Sequence, residues 1–258
     1  ERLLERLLRE WQPDAVVCTY MVYPYMLDSV ASRTGRAVPY LTVVTDSFVI
    51  NKSWLCSKSP LWAVTDPWTR AIMEEKGLPQ DRLRVTGFPV NPVLGALAEE
   101  HPFSWKEGEP FRVLYFVQRS ARHARAELAG MLDANPALHV TCILGRRFRR
   151  IYPRIRDLRA RYGRRLTVRG WTRRVPSYLA ASHVVVGKAG GATVHEVLAA
   201  ARPMLVNFLL PGQEEGNTRL LEKLGGGSHV PDARALASAL QEMMADGGAQ
   251  RRRMHENL

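Results

Sequence analysis

The stretch 187–217 (GKAGGATVHEVLAAARPMLVNFLLPGQEEGN) constrains this chain more than any other. Just ahead of it, 183–186 (HVVV) is a short apolar run that predicts a buried strand, and the run breaks at Lys188-Ala189-Gly190-Gly191. Val194, Val197, Leu198 and Ala201 follow at helical spacing. Pro203 ends that helix and opens a second buried strand over 204–208. A polar loop, 211–217 (PGQEEGN), then leads into another helix. The unit is strand, glycine turn, helix and strand, with polar residues wherever a strand ends. In an open parallel sheet, ligands bind at those carboxyl ends. Glycines before a helix also expose backbone N–H groups at its positive end, which suits a diphosphate.

Read from residue chemistry alone, each member of this stretch has two meanings. Gly190 and Gly191 permit close backbone approach that a bulkier pair would block. Lys188 either offsets phosphate charge or is a solvated lysine. Gln213, Glu214 and Asn217 bind hydroxyls well, and they are equally ordinary helix-start residues. Thr193-Val-His-Glu196 fits a capping box, with Thr193 as N-cap and Glu196 at N3, which needs no ligand. His195-Glu196 lacks the second histidine of H-E-x-x-H, because Ala199 stands there, so no metal is expected.

The rest of the chain alternates in the same way. Residues 1–11 place Leu3, Leu4, Leu7, Leu8 and Trp11 on one helical stripe, expected to cover a sheet, with a membrane as the alternative partner. Strands are expected at 15–20, 38–44, 62–65 and 83–86, with a helix opened by Asp66-Pro67 and closed by Gly77. Asp46 follows the second of these strands. It is either a general base for an acceptor hydroxyl or a turn residue. Residues 47–60 show no period and are expected to be a loop exposing Phe48, Trp54 and Leu55 to lipid headgroups, or folding them down as a plug. Residues 87–92 (GFPVNP) have linker composition. Strands at 111–117, 139–144 and 166–169 and a helix near 151–162 build the second half.

KAGGATVHE followed by PGQEEGN resembles the nucleotide-sugar site of the monogalactosyldiacylglycerol synthase and processive diacylglycerol glycosyltransferase family, relatives of the lipid II-forming glycosyltransferase. The resemblance extends over 39–92. It implies an α/β fold of the GT-B type, two doubly wound Rossmann-like domains facing across a cleft. Residues 1–92 would form a shortened acceptor-side domain, and 93–258 the donor domain. The activity implied is inverting transfer of a hexose from a UDP-sugar to a lipid such as diacylglycerol, with no cofactor. It assigns Thr193 to phosphate, Glu196 to the ribose hydroxyls, and Gln213 and Glu214 to the sugar hydroxyls, with Asn217 supporting them or starting the following helix. Lys188, Gly190 and Gly191 would border the diphosphate, and Trp171 and Thr172 the uracil, with Trp171 as a plain core residue the alternative. Where relatives carry a glycine-rich phosphate loop, this chain has Gln118-Arg119-Ser120-Ala121-Arg122, and Arg119 is the substitute phosphate ligand or a sign of weakened donor binding. No GGxGH-like stretch is found and the chain opens on Glu1, so a missing N-terminal loop holding the true base is expected. A UDP-sugar epimerase of the same architecture and a non-catalytic nucleotide- or membrane-binding remnant are the alternatives.

The 258 residues suffice for two modest α/β domains. A net charge of +12 predicts attraction to polyanions. The arginines between Arg146 and Arg174 fit an anionic bilayer or a solvated face. No base-stacking or helix-turn-helix pattern supports nucleic acid. No stretch approaches the ~20 apolar residues of a membrane span, and no signal peptide opens the chain. Cys18, Cys56 and Cys142 are too scattered for disulfides. The expected location is cytoplasmic, peripheral on the inner face of the cell membrane.

Overall fold

A computed structural model of the chain describes residues 1–101, 103–212, 214–256 and 258. It divides into two units, Glu1–Pro89 and Val90–Leu258. The division falls slightly before the expected 92/93 boundary because Val90 and Leu94 pack into the second unit's core.

The first unit runs α1 (Arg2–Trp11), β1 (Val16–Cys18), α2 (Val22–Thr34), β2 (Tyr40–Val43), β3 (Trp62–Val64), α3 (Pro67–Glu75) and β4 (Leu83–Val85). Its four strands are parallel and lie in chain order, β1-β2-β3-β4. The start of α3 follows from its sequence. Asp66 accepts from Thr69 N–H at 2.7 Å and Pro67 occupies the first turn, where no N–H is needed. Gly77 then leaves the helix at φ 93°, a conformation that costs glycine nothing.

Two expectations are settled only in part in this unit. No residue of α1 is fully buried: Leu4, Leu7 and Leu8 are half-buried while Leu3 and Trp11 stay 59% and 77% exposed, so the stripe is covered only in part, and by α2. Its polar side adds one tie to α2, Arg33 to Glu5 at 2.6 Å, and Glu5 also takes Arg9 within the helix at 2.8 Å. The loop 47–60 does not offer its apolar residues to lipid either. Trp54 is 2% exposed in the unit's core, Leu55 packs against that core, and Phe48 stacks on Trp68 at 5.8 Å. The gain from burying an indole outweighs leaving it in a loop.

The second unit runs α4 (Val93–Glu100), β5 (Phe111–Phe116), α5 (Ala121–Ala134), β6 (Leu138–Ile143), α6 (Phe148–Ile151), α7 (Arg156–Tyr162), β7 (Leu166–Arg169), α8 (Val175–Ala180), β8 (Val184–Lys188), α9 (Gly191–Ala199), β9 (Met204–Phe208), α10 (Glu215–Lys223), β10 (Gly227–His229), α11 (Ala233–Met244) and α12 (Ala249–Glu256). The expected helix at 151–162 is broken into α6, a 3-10 turn and α7, because Pro153 has no N–H to continue the ladder. The six strands are all parallel in the order β7-β6-β5-β8-β9-β10.

Counted within the unit, that order is 3-2-1-4-5-6, the doubly wound arrangement whose direction of winding reverses between β5 and β8. Both faces of the sheet are covered. Phe111, Val113 and Tyr115 of β5 point into one core with α5 and α11, while Leu114 points into the other with α9. Val184, Val185 and Val186 are fully buried. Each such side chain contributes about 1.5–3 kcal/mol of transfer free energy. Among the described residues, no helix is long and apolar enough to cross a membrane.

Candidate functional site

Since every strand of the second unit is parallel, all the loops after its strands lie along one edge of the sheet. The winding reversal puts the loops after β5 and β8 on either side of the crevice where ligands bind in such sheets. The β8 loop is built around Gly190, which takes an extended backbone (φ −69°, ψ 139°) and is the N-cap of α9. Val194 N–H reaches Gly190 O at 2.9 Å to close the first turn.

The helix therefore starts ahead of Thr193, and the expected capping box does not form. No side chain caps α9. Thr193 sits at the third helical position, and Glu196 lies too far along the helix to return to its start. Glu196 is half-buried with no hydrogen-bond partner among the described residues, and burial alone pushes its carboxyl pKa up. Gly191, Ala192 and Thr193 contribute first-turn amides, the groups an α-helix leaves without internal acceptors.

The β8 and β9 loops are tied together by side chains. Lys188 Nζ forms an ion pair with Glu214 Oε1, and Glu214 Oε2 accepts from Leu210 N–H at 2.9 Å. Asn217 Nδ2 donates to Ala189 O at 2.9 Å, while its Oδ1 is buried with no hydrogen-bond partner among the described residues. Three alternatives are narrowed. Lys188 is not a solvated lysine but the counter-ion of a carboxylate that is only 6% exposed. Both oxygens of Glu214 are already engaged. Asn217 lies in the first turn of α10, with its amide turned inward to hold the glycine turn. A Cβ on Gly190 would stand 3.4 Å from Lys188 Cε and 3.6 Å from Glu214 Oε1, so the ion pair floors the turn. The expectation for Gln213 lies outside the described residues.

At the end of β7, Trp171 is 60% exposed with the Arg173 guanidinium 5.7 Å above its ring, so it is no core residue. Thr172 Oγ1 accepts from Arg174 N–H at 3.1 Å, folding the turn that presents the indole. Of the arginine run, Arg146, Arg149, Arg150, Arg164 and Arg174 are exposed. Arg147 is drawn in to Val117 O and Arg165 to Leu138 O.

Arg119, after β5, does not stand free. Its Nη1 lies 3.4 Å from Oε1 of Glu127, a carboxylate 2% exposed on α5. The other oxygen of Glu127 accepts from Tyr115 O–H and from Asn207 Nδ2, the latter at 2.9 Å. Sequence reasoning missed this cluster, because Glu127 in ARHARAELAG reads as a surface charge. A signal was present: Ala124, Leu128 and Met131 flank it at helical spacing on the buried stripe.

In the first unit, Asp46 is half-buried beyond β2. Burial pushes its carboxyl pKa up, and Trp54 Nε1, donating to Oδ2 at 2.7 Å, partly restrains the rise. A carboxylate so placed is a stronger proton acceptor than an exposed aspartate. Among the described residues, no three His, Cys, Asp or Glu side chains converge as metal ligands.

Sequence and fold both find relatives. Residues 1–90 match the monogalactosyldiacylglycerol (MGDG) synthase family, and residues 124–258 match the glycosyltransferase family 28 C-terminal domain. The processive diacylglycerol beta-glucosyltransferase of Staphylococcus carnosus is 24% identical over 253 residues, which are 96% of this chain and 63% of that protein. The Bacillus subtilis protein of the same description is 24% identical over 247 residues, 94% of this chain and 64% of its own length. The chain thus spans just under two thirds of these curated relatives. Among solved structures, Staphylococcus aureus MnaA with UDP superposes with a TM-score of 0.67 at 14% identity, covering 99% of this chain and 72% of that one. Acinetobacter baumannii MurG gives 0.63 at 16% identity, covering 98% and 70%. The fold is the GT-B type, with two Rossmann-like units.

Proposed function

This chain belongs to glycosyltransferase family 28, and from that premise we propose that it transfers a hexose from a UDP-sugar to a lipid hydroxyl, diacylglycerol foremost, with inversion at the anomeric carbon. The observation that carries the reading is Glu196. A carboxylate that loses hydration without gaining a protein partner is destabilised where it stands. Two vicinal ribose hydroxyls would supply the missing hydrogen bonds. The first-turn amides of α9, from Gly191 to Thr193, would meet the diphosphate, and the Lys188–Glu214 pair would hold the turn in register. Trp171 and Thr172 would border the uracil. Gln213 and Glu214 would face the sugar, Glu214 by exchanging its Leu210 bond for a hydroxyl, with Asn217 as a support.

In the reaction the acceptor hydroxyl loses its proton to a base, for which Asp46 is the candidate in the first unit. The oxygen attacks the anomeric carbon from the face opposite the leaving group. The bond to the β-phosphate oxygen breaks and UDP departs, its charge stabilised by backbone N–H groups. The names of the curated relatives support the lipid acceptor, and the net charge of +12 supports work at an anionic bilayer, on its cytoplasmic face.

The test is calorimetric titration of the chain and of Glu196→Ala with UDP, UDP-glucose and UDP-galactose, followed by assay of UDP release with and without diacylglycerol vesicles. Expected are UDP binding that the variant weakens by about tenfold or more, and UDP release that requires the lipid. Absence of nucleotide binding overturns the reading. Conversion of the sugar without any acceptor replaces it with an epimerase.

A further inference from the structure

The Glu127 cluster is not used by any step above. It sits under the β5 side of the crevice and joins three elements: Tyr115 from β5, Glu127 from α5 and Asn207 from β9. A carboxylate at 2% exposure is costly unless its charge is met. Two neutral donors serve Oε2, and among the described residues the charge is met at Oε1 by Arg119 alone. That requirement fixes where Arg119 stands, in the loop that borders the winding reversal and immediately ahead of Ser120, the N-cap of α5. The loop is pinned from a second side by Arg147, which donates to Val117 O.

A guanidinium carries five N–H donors in a planar fork. Arg119 uses one of them, at 3.4 Å, and its side chain keeps 24% exposure, with no other hydrogen-bond partner among the described residues. The remaining donors are free for a second anion, and the fork geometry suits a phosphate held by two parallel bonds.

Resting on the donor-site reading above, we infer that Glu127 is a positioning residue for the donor's diphosphate: it holds one edge of Arg119 so that the other edge binds phosphate. Tyr115 and Asn207 fix the carboxylate in turn. The phosphate-binding group on this side of the crevice is then a braced side chain, which explains why Gln118-Arg119-Ser120 carries no glycine.

The alternative is that the pair only closes the β5–α5 junction. Titration with UDP and with uridine separates the two, since only UDP carries the phosphates. Arg119→Ala is expected to weaken UDP by about ten- to a hundredfold, the range of a lost charge-assisted pair, and to leave uridine within about twofold of the parent. Glu127→Gln, which keeps an acceptor for Tyr115, is expected to weaken UDP by a smaller factor and to spare uridine. In the Arg119→Ala background, Glu127→Gln is expected to add no further loss, because it acts through Arg119.

The inference is overturned if Arg119→Ala binds UDP as the parent does. It is equally overturned if Glu127→Gln lowers UDP and uridine together, or lowers UDP to the same extent with and without Arg119. Should the parent chain bind neither UDP nor uridine, the donor-site reading falls and this inference with it. If both bind and the single variants leave their ratio unchanged, only this inference falls. Arg119 is partly exposed, so its substitution tests the idea even where Glu127→Gln unfolds the domain.

Discussion

Glu214 joins two loops through one carboxylate: Oε1 pairs with Lys188 at the end of β8, and Oε2 accepts from Leu210 N–H at 2.9 Å beyond β9. The two partners are unequally buried, with side-chain exposures of 28% for Lys188 and 8% for Glu214. Removing either therefore leaves a different remnant. Without Glu214 the lysine can extend toward water along its flexible stem. Without Lys188 the carboxylate stays enclosed with its charge unmet, which is the expensive half of a broken buried pair.

Lys188→Met should accordingly cost more stability than Glu214→Ala, about 2–4 against 1–2 kcal/mol, discounting a fully buried pair for the partial exposure of the lysine. Denaturant unfolding of the two variants and the double variant measures this. A double variant less destabilised than the sum of the singles is the expected coupling. Equal costs for the two singles would mean that the lysine is as trapped as the carboxylate.

Glu196 makes an opposite kind of statement about stability. Its carboxyl pKa is raised above the ordinary 4.5 by burial, so the folded chain holds the proton more tightly than the unfolded one. The Glu196 contribution to stability is then greatest below the unfolded pKa and is lost as pH rises through the folded pKa. Glu196→Gln removes that loss. It should melt higher than the parent at pH 7 and lose the advantage below about pH 4, while binding UDP more weakly. Melting curves at the two pH values decide it, and a variant less stable at pH 7 would mean that Glu196 has a structural partner after all.

What the sequence displayed well were features whose cause is local. The valine run at 184–186, the strand that follows Pro203 and the Asp66-Pro67 helix start all act through propensity and neighbouring atoms, and each appears in the fold where expected, although α9 already ends at Ala199 and leaves Ala201 outside it at φ 49°. The start of α9 was misjudged because Thr193 and Glu196 carry the capping pattern, yet Gly190 takes the extended backbone that sets the N-cap. Trp54 takes the folded-down alternative, which the sequence leaves open because nothing near it reveals the cluster of Val44, Trp62 and Leu83. The same limit hid the Glu127 cluster, whose partners lie 12 and 80 positions away. Long-range contacts decide the fate of large or charged side chains, and periodicity records them only faintly.

Trp171 offers a clean separation of stability from binding. It is 60% exposed, and Arg173 over its ring is a surface cation–π contact of about 0.5–1 kcal/mol. Trp171→Ala should change unfolding free energy by no more than about that amount. If the indole borders the uracil, the same variant should weaken UDP and uridine alike by about 1–3 kcal/mol, the loss of a base–aromatic contact. A variant that binds both as before would confine the uracil contact to the backbone of the turn.

Asp46 and Trp54 make the proposed base testable through pH. The Trp54 bond to Oδ2 lowers the Asp46 pKa, against burial, which raises it and is the larger cause. Trp54→Phe keeps most of the buried ring and removes the donor, so the carboxyl pKa should rise further. A general base works only when deprotonated, and the acid limb of kcat/KM should move to higher pH in this variant. Asp46→Asn should lower turnover by about 10²–10⁴-fold, the usual contribution of a positioned base, with UDP affinity unchanged because the proposed donor site lies in the other unit. An Asp46→Asn protein that glycosylates lipid at the parental rate would remove Asp46 from the chemistry, and an unshifted acid limb in Trp54→Phe would assign that limb to another group.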